Sequence, residues 1–173
     1  MTAPAAHMGF YGAAVEPMTP SDWPAVAAIY AEGIATRQAT FETAVPSWCE
    51  FDARHCQAGR LVARLGKRVV GWAALSPAST REVYCGVAEV SVYVAAAMRG
   101  RGLGHMLLAE LIRQSEAAGF WTLQASICAD NAASLALHTA CGFRLVGRRE
   151  RIAQLDGRWR DTLLLERRST LVQ

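Results

Sequence analysis

The sequence predicts an α/β protein, a mixed sheet flanked by helices on both faces. Three observations carry this. The apolar period alternates along the chain between about 2 and about 3.6 residues, in the order β-α-α-β-β-β-α-β-α-β-β. Some strands are joined by hairpin-length loops and others by helices, so neighbouring strands run in both directions. Finally, 173 residues without internal repeats fit one core.

Residues 15–18 read as a short strand. Thr19-Pro20-Ser21-Asp22 then opens a helix, with Thr19 as cap, Pro20 at the first helical position and Asp22 at capping-box spacing. Residues 36–46, "TRQATFETAVP", break the period and predict an ordered loop. A second helix follows over 47–58, stopped by Gly59. Strands at 61–65 and 69–75 flank Gly66-Lys67-Arg68 at hairpin spacing, and a third strand covers 87–94. Leu103, Leu107, Leu108, Leu111 and Ile112 form the buried stripe of a helix ending near Gly119. A strand at 122–127 leads to a helix at 131–141 stopped by Gly142. The last hairpin, 144–155 with 159–166, turns on Asp156-Gly157, a pair suited to a type I′ turn. Residues 1–13 are set apart as a flexible N-terminal extension, 14–168 form one domain and 169–173 a short C-terminal tail.

Composition narrows the function. The chain is 52% hydrophobic and 19% charged, with no apolar run long enough to span a bilayer, so a cytoplasmic protein with no membrane partner is expected. The net charge of +3 is small and the arginines are scattered, which argues against nucleic acid. Five widely spaced cysteines without a CxxC suit free thiols in a reducing compartment. The four histidines show no ligand spacing, so no metal is expected.

The most informative stretch is "VSVYVAAAMRGRGLGHMLLAELI", residues 90–112, where a strand meets a helix through Gly100, Gly102 and Gly104. The spacing GxGxG fits neither the dinucleotide fingerprint nor a mononucleotide P-loop. What remains is Arg99-x-x-Gly102-x-Gly104. Backbone N–H groups there can close on a phosphate at a helix N-terminus, with Arg99 and Arg101 adding charge. An ordinary tight turn fits the same glycines.

The neighbouring motifs separate these readings. "AEVSVYV" at 88–94 and "NAASLALHTACGF" at 131–143 resemble the GNAT superfamily of acyl-CoA-dependent N-acyltransferases. "IYAEGIATRQATFET" at 29–43 and "GRWRDTLLLE" at 157–166 point to its phosphinothricin acetyltransferase-like branch. The likeness spans about residues 15–168. It implies the GNAT-like acyl-CoA N-acyltransferase fold, acetyl-CoA as cosubstrate and a homodimer. It also implies pyrophosphate on Arg99, Gly100, Arg101, Gly102, Leu103 and Gly104, and a pantetheine arm along the Val92, Tyr93 and Val94 backbone. The chain departs from better-known members at Val87, where some carry threonine, and lacks their aromatic-rich loop before it.

Alternation in "VAEVSVYV" puts Glu89, Ser91 and Tyr93 on the face opposite Ala88, Val90, Val92 and Val94. A mid-strand carboxylate is costly to bury unless it is paired or used, and the strand alone fits either. The resemblance implies that Glu89 is the base for the acceptor amine. Asn131, Ser134 and His138 form a polar stripe on their helix. Spacing alone favours a satisfied core or surface group for His138; the resemblance implies a residue that protonates the departing thiolate. Asn131 is expected to orient the pantetheine arm, to cap the helix, or both, and Ser134 to lie beside it. Phe41 and Glu42, in the loop the resemblance lays over the acceptor, and Arg81 and Tyr84, before the Glu89 strand, are the acceptor-binding candidates. Arg81 offers a fork for a carboxylate or phosphinate, or is a solvated loop charge.

The expected reaction transfers acetyl to the α-amine of a small amino acid analogue such as phosphinothricin or methionine sulfoximine or sulfone. Alternatives are a protein N-terminus, a polyamine, or a non-catalytic acyl-CoA sensor. Retention of both Glu89 and His138 opposes the last.

Overall fold

The computed structural model describes residues 12–173. The expected extension over residues 1–13 lies outside the described residues except for its last two, and Ala13 belongs to the domain: it opens the first strand and is 1% exposed. The order of elements is as predicted. It comprises β1 (Ala13–Pro17), α1 (Trp23–Ala35), α2 (Trp48–Arg54), β2 (Leu61–Leu65), β3 (Arg68–Pro77), β4 (Val87–Val94), α3 (Leu103–Ala117), β5 (Thr122–Cys128), α4 (Ala132–Ala140), β6 (Arg144–Leu155) and β7 (Arg158–Arg168).

The strands form a single sheet in the order β1-β2-β3-β4-β5-β7-β6. All neighbours are antiparallel except β4 and β5, which are parallel. α3 and α4 cover one face and α1 and α2 the other, each over its own apolar cluster. On α3 the five predicted apolar residues are buried against β2, β3 and β4. Fully burying each such side chain stabilises by about 1.5–3 kcal/mol. On the opposite face, Trp72 stacks on Tyr93 at 4.6 Å, with Tyr30 and Phe51 packed around them.

Local signals explain most element ends. The main-chain N–H of Thr19 donates to Asp22 at 2.9 Å, as the capping-box spacing predicts, but the first turn is a 3-10 turn, Pro20–Asp22, ahead of α1. Asp156 (φ 51°) and Gly157 (φ 73°) form the β6–β7 turn in left-handed geometry. α2 is shorter than expected, ending at Arg54, and Gly59 does not stop it. Buried Arg60 supplies the reason. It donates to the carbonyls of Asp52 (2.9 Å), His55 (2.7 Å) and Cys56 (2.7 Å), so the chain leaves the helix where these acceptors are satisfied.

What positions the site is the seam between β4 and β5. These strands pair only at Val87↔Thr122, Ala88↔Leu123 and Glu89↔Gln124 and then diverge, β4 staying with β3 to Val94 and β5 with β7 to Cys128. The closed end of this wedge is fixed by Gly86, whose carbonyl accepts from Trp121 N–H (2.8 Å) and Thr122 N–H (3.1 Å). A Cβ on Gly86 would stand 2.0 Å from the Trp121 ring, so only glycine admits that ring. At the open end residues 36–46 cross without regular structure, as a strap. It is tied down by Arg37–Asp156 (3.1 Å), Asn131 Nδ2 to the Gln38 carbonyl (3.2 Å), Tyr93 OH to the Ala39 carbonyl (3.3 Å) and Arg54–Glu42 (3.2 Å).

Candidate active site

Two cavities meet at the wedge, of about 540 Å³ and 390 Å³, and share the walls Gln38, Ala39, Val92, Tyr93, Asn131 and Ser134. The larger lies over the glycine loop. Gly100 (φ 72°) and Gly102 (φ 78°) take left-handed geometry, and a Cβ on either would meet no atom within 4 Å. Glycine is therefore required by the backbone and not by crowding, and the loop keeps open space in front of the first turn of α3. Amides of that turn lack intrahelical acceptors, which suits an anion.

The structure brings Val92, Tyr93, Val94, Arg99, Gly100, Gly102, Leu103, Gly104, Asn131 and Ser134 to this cavity as expected. Arg101 is exposed and is not among them. The Nε of Arg99 donates to the Val94 carbonyl (3.2 Å), linking the loop to the strand. His105 also lines the cavity, a position the sequence reading did not select. Asn131 does two jobs: its Oδ1 accepts from Ser134 N–H (3.1 Å), capping α4, while its Nδ2 holds the strap.

The smaller cavity is lined by charged and polar side chains from distant elements. Glu89 enters it from β4, with Ser126 N–H donating to its carboxylate. Burial pushes its pKa up, opposed by the charge of Arg149 and by that hydrogen bond. His138 enters from α4 and is 5% exposed. Its Nδ1–H donates to the Ser134 carbonyl (2.8 Å), which leaves Nε2 unprotonated in the neutral ring. Burial pushes its pKa down, so the ring is neutral at pH 7. A neutral ring with a free Nε2 can take up a proton and pass it on.

Of the acceptor candidates, Phe41 and Glu42 line the cavity. Arg81 and Tyr84 do not. Ala78 N–H bonds the Val87 carbonyl (3.1 Å), closing the intervening residues into a loop beyond the strand ends. There the Arg81 guanidinium sits 5.6 Å from the exposed Tyr84 ring. The arginine on the cavity is Arg54, on α2 beside His55, whose ring stacks on Phe51 at 3.9 Å. Helical spacing from the buried Phe51, at i+3 and i+4, was the available signal for both. Ser126, an outward position of β5, carried no distinguishing signal. Among the described residues no group of three His, Cys, Asp or Glu forms a metal cluster, and no helix is long and apolar enough to cross a membrane.

Comparison with known proteins agrees with this geometry. Residues 23–143 match the acetyltransferase (GNAT) family. A phosphinothricin N-acetyltransferase of Alcaligenes faecalis is 38% identical over 152 residues, covering 84% of this chain and 77% of the relative. An L-methionine sulfoximine/L-methionine sulfone acetyltransferase of Pseudomonas aeruginosa is 32% identical over 152 residues, 84% of this chain and 88% of the relative. Among solved structures, a phosphinothricin acetyltransferase from Sinorhizobium meliloti in complex with acetyl-CoA superposes with a TM-score of 0.82 at 30% identity, over 90% of this chain and 88% of that one. The chain belongs to the GNAT family of acetyltransferases.

Proposed function

We propose that this protein transfers the acetyl group of acetyl-CoA to the α-amine of a small amino acid analogue, with phosphinothricin and methionine sulfoximine or sulfone as the acceptor class. The observation that carries this reading is the entry of Glu89 into a cavity that joins, through shared walls, the one over the glycine loop. The acceptor names of the relatives support it.

An α-ammonium with a pKa of about 8 must lose a proton before it can attack a thioester. The Glu89 carboxylate takes that proton, directly or through one water. Once the C–N bond has formed, the nitrogen sheds a second proton. His138, neutral with a free Nε2, accepts it and passes it to the sulfur as the C–S bond breaks, so acetamide and thiol leave with protons balanced. Acetyl-CoA lies with its pyrophosphate on residues 99–104 and its pantetheine arm in the wedge. Arg54 meets the acceptor's carboxylate, and Phe41 and Glu42 close over it.

Polyamines fit less well, because no further acid joins Glu42 and Glu89 among the cavity walls. β6 is one of the two sheet edges, with Leu145, Val146, Ile152 and, on β7, Trp159 exposed beside it; this apolar surface supports a homodimer. The small net charge and free cysteines support a cytoplasmic setting without nucleic acid.

The test is thiol release from acetyl-CoA across an acceptor panel of phosphinothricin, methionine sulfoximine, methionine sulfone, ordinary amino acids, an N-terminal peptide and spermidine. Turnover is expected with the amino acid analogues. Faster turnover of the peptide would move the assignment to protein N-termini, and binding of acetyl-CoA without thiol release from any amine would make the protein a sensor.

A further inference from the structure

Arg149 is used by none of the steps above, yet the sheet carries it to Ser126, a wall of the smaller cavity. Side chains of Gln124, Ser126 and Cys128 share one face of β5, and Gln124 pairs with Glu89. Cys128 pairs with Thr162 on β7, and Thr162 pairs with Arg149 on β6, so Arg149 stands on the face that carries Glu89. Its Nε donates to the hydroxyl of Thr162 (3.1 Å), a residue 1% exposed, and its Nη2 to the hydroxyl of Ser126. Ser126 in turn donates its main-chain N–H to the Glu89 carboxylate. The backbone is fixed as well. A register shift follows Arg149, and Asp161 holds that bulge through Arg151 N–H (2.8 Å) and the Arg148 guanidinium.

We propose that Arg149 is a positioning residue for Glu89, held by Thr162 and Ser126 so that its guanidinium, acting across Ser126, sets the charge state in which Glu89 meets the acceptor.

The groups that face the cavity leave this role open. From α2 and the strap, Arg54 and Glu42 neutralise each other. Burial drives His55 and His138 toward the neutral form and also keeps Tyr30, Tyr93 and Cys128 protonated. Nearby Arg160 pairs with Asp130 and Arg148 with Asp161. Arg149, bonded to two hydroxyls, forms no ion pair among the described residues, and its field offsets the burial of Glu89. A merely structural arginine would equally fill this space, so the test must read Glu89 itself.

The inference rests on Glu89 as the base, and the experiment separates the two. Side-chain carboxyl carbons of the 13C-glutamate-labelled protein are titrated by NMR, the Glu89 signal being identified by its loss in Glu89→Gln. In Arg149→Met the Glu89 midpoint is expected to move to higher pH, with Arg149→Lys returning most of the way. Ser126→Ala, which keeps the main-chain donor and loses only the hydroxyl, is expected to show a smaller upward move and serves if Arg149→Met folds poorly. In parallel, kcat/KM of Arg149→Met should fall about tenfold at about pH 6 and about twofold or less at about pH 8.5, with acetyl-CoA affinity unchanged. An unmoved midpoint overturns the proposal. So does a pH-independent loss confined to carboxylate-bearing acceptors, which would make Arg149 their anchor. A midpoint that moves while Glu89→Gln keeps full kcat removes Glu89 as the base but leaves its coupling to Arg149 in place.

Discussion

The two cavities that meet at the wedge are made of different material. The larger gathers the glycine loop with residues of β4, α4 and the start of the strap, and no carboxylate lines it. The smaller is walled by side chains from the strap, α2, β4, β5 and α4, with charges of both signs. Backbone N–H groups recognise what acyl-CoA molecules have in common, whereas a set of distant side chains can be exchanged one at a time. On the proposed reading, selectivity toward the amine belongs to the smaller cavity, and mutations in the two should separate along that line.

The largest effect is expected at Glu89. Glu89→Gln keeps the shape and removes the base, so kcat should fall about 10²–10⁴-fold at pH 7 with acetyl-CoA affinity unchanged, and the loss should shrink as pH rises and more amine arrives deprotonated. His138→Phe should lower kcat without that rescue. Steady-state kinetics between about pH 6 and pH 9.5 decide the assignment; if rescue appears in His138→Phe and not in Glu89→Gln, the histidine is the base.

Next in size is Gly102→Val. A β-branched residue at φ 78° is strained, and its side chain would enter the space before α3, so acetyl-CoA should bind about 10–100-fold more weakly by calorimetry. The acceptor KM should not change. A matched loss at both sites would mean that the two cavities are not separable.

A smaller effect should distinguish two arginines. Arg54→Ala should raise KM about tenfold for acceptors with a carboxylate and little for simple amines, while Arg81→Ala should change either by about twofold or less. Equal effects of the two substitutions would bring the outer loop back to the acceptor.

The smallest concerns stability. The folded protein raises the Glu89 pKa, so between the usual carboxylate range and that raised value the folded state binds more protons than the unfolded one, and stability falls as pH rises. Glu89→Gln cannot ionise. It should unfold about 2–4 °C above the wild type at pH 7, with the difference closing at about pH 4. A melting temperature lowered at both pH values would show that Glu89 stabilises the fold.

The same contrast explains what could be read in advance. Order and type of elements followed from period and turn chemistry, and the glycine loop from spacing, because residues 99–104 act as neighbours in the chain and in space. Glu89 and His138 stood out because a carboxylate in an apolar strand and a histidine on a helical polar stripe each break a local pattern, while the roles expected of them came from the family resemblance. Arg149 and Ser126 break none; their meeting depends on the register of β6, β7 and β5, which no single segment encodes. Arg81 and Tyr84 lie outside the cavity for the converse reason, since nearness to Glu89 in sequence is undone by the closing bond between Ala78 and Val87.

Three residue pairs join β4 to β5, whereas β3 and β4 are joined by seven, so the sheet is two half-sheets meeting at a short seam. A substrate bound along that seam contacts both halves and is bound only when they are in register. Its binding energy is then added to folding, by about 2.7 kcal/mol at a concentration one hundred times Kd. Resistance to unfolding then follows the donor concentration of the moment: the folded state is harder to open while the donor is plentiful than when it is scarce.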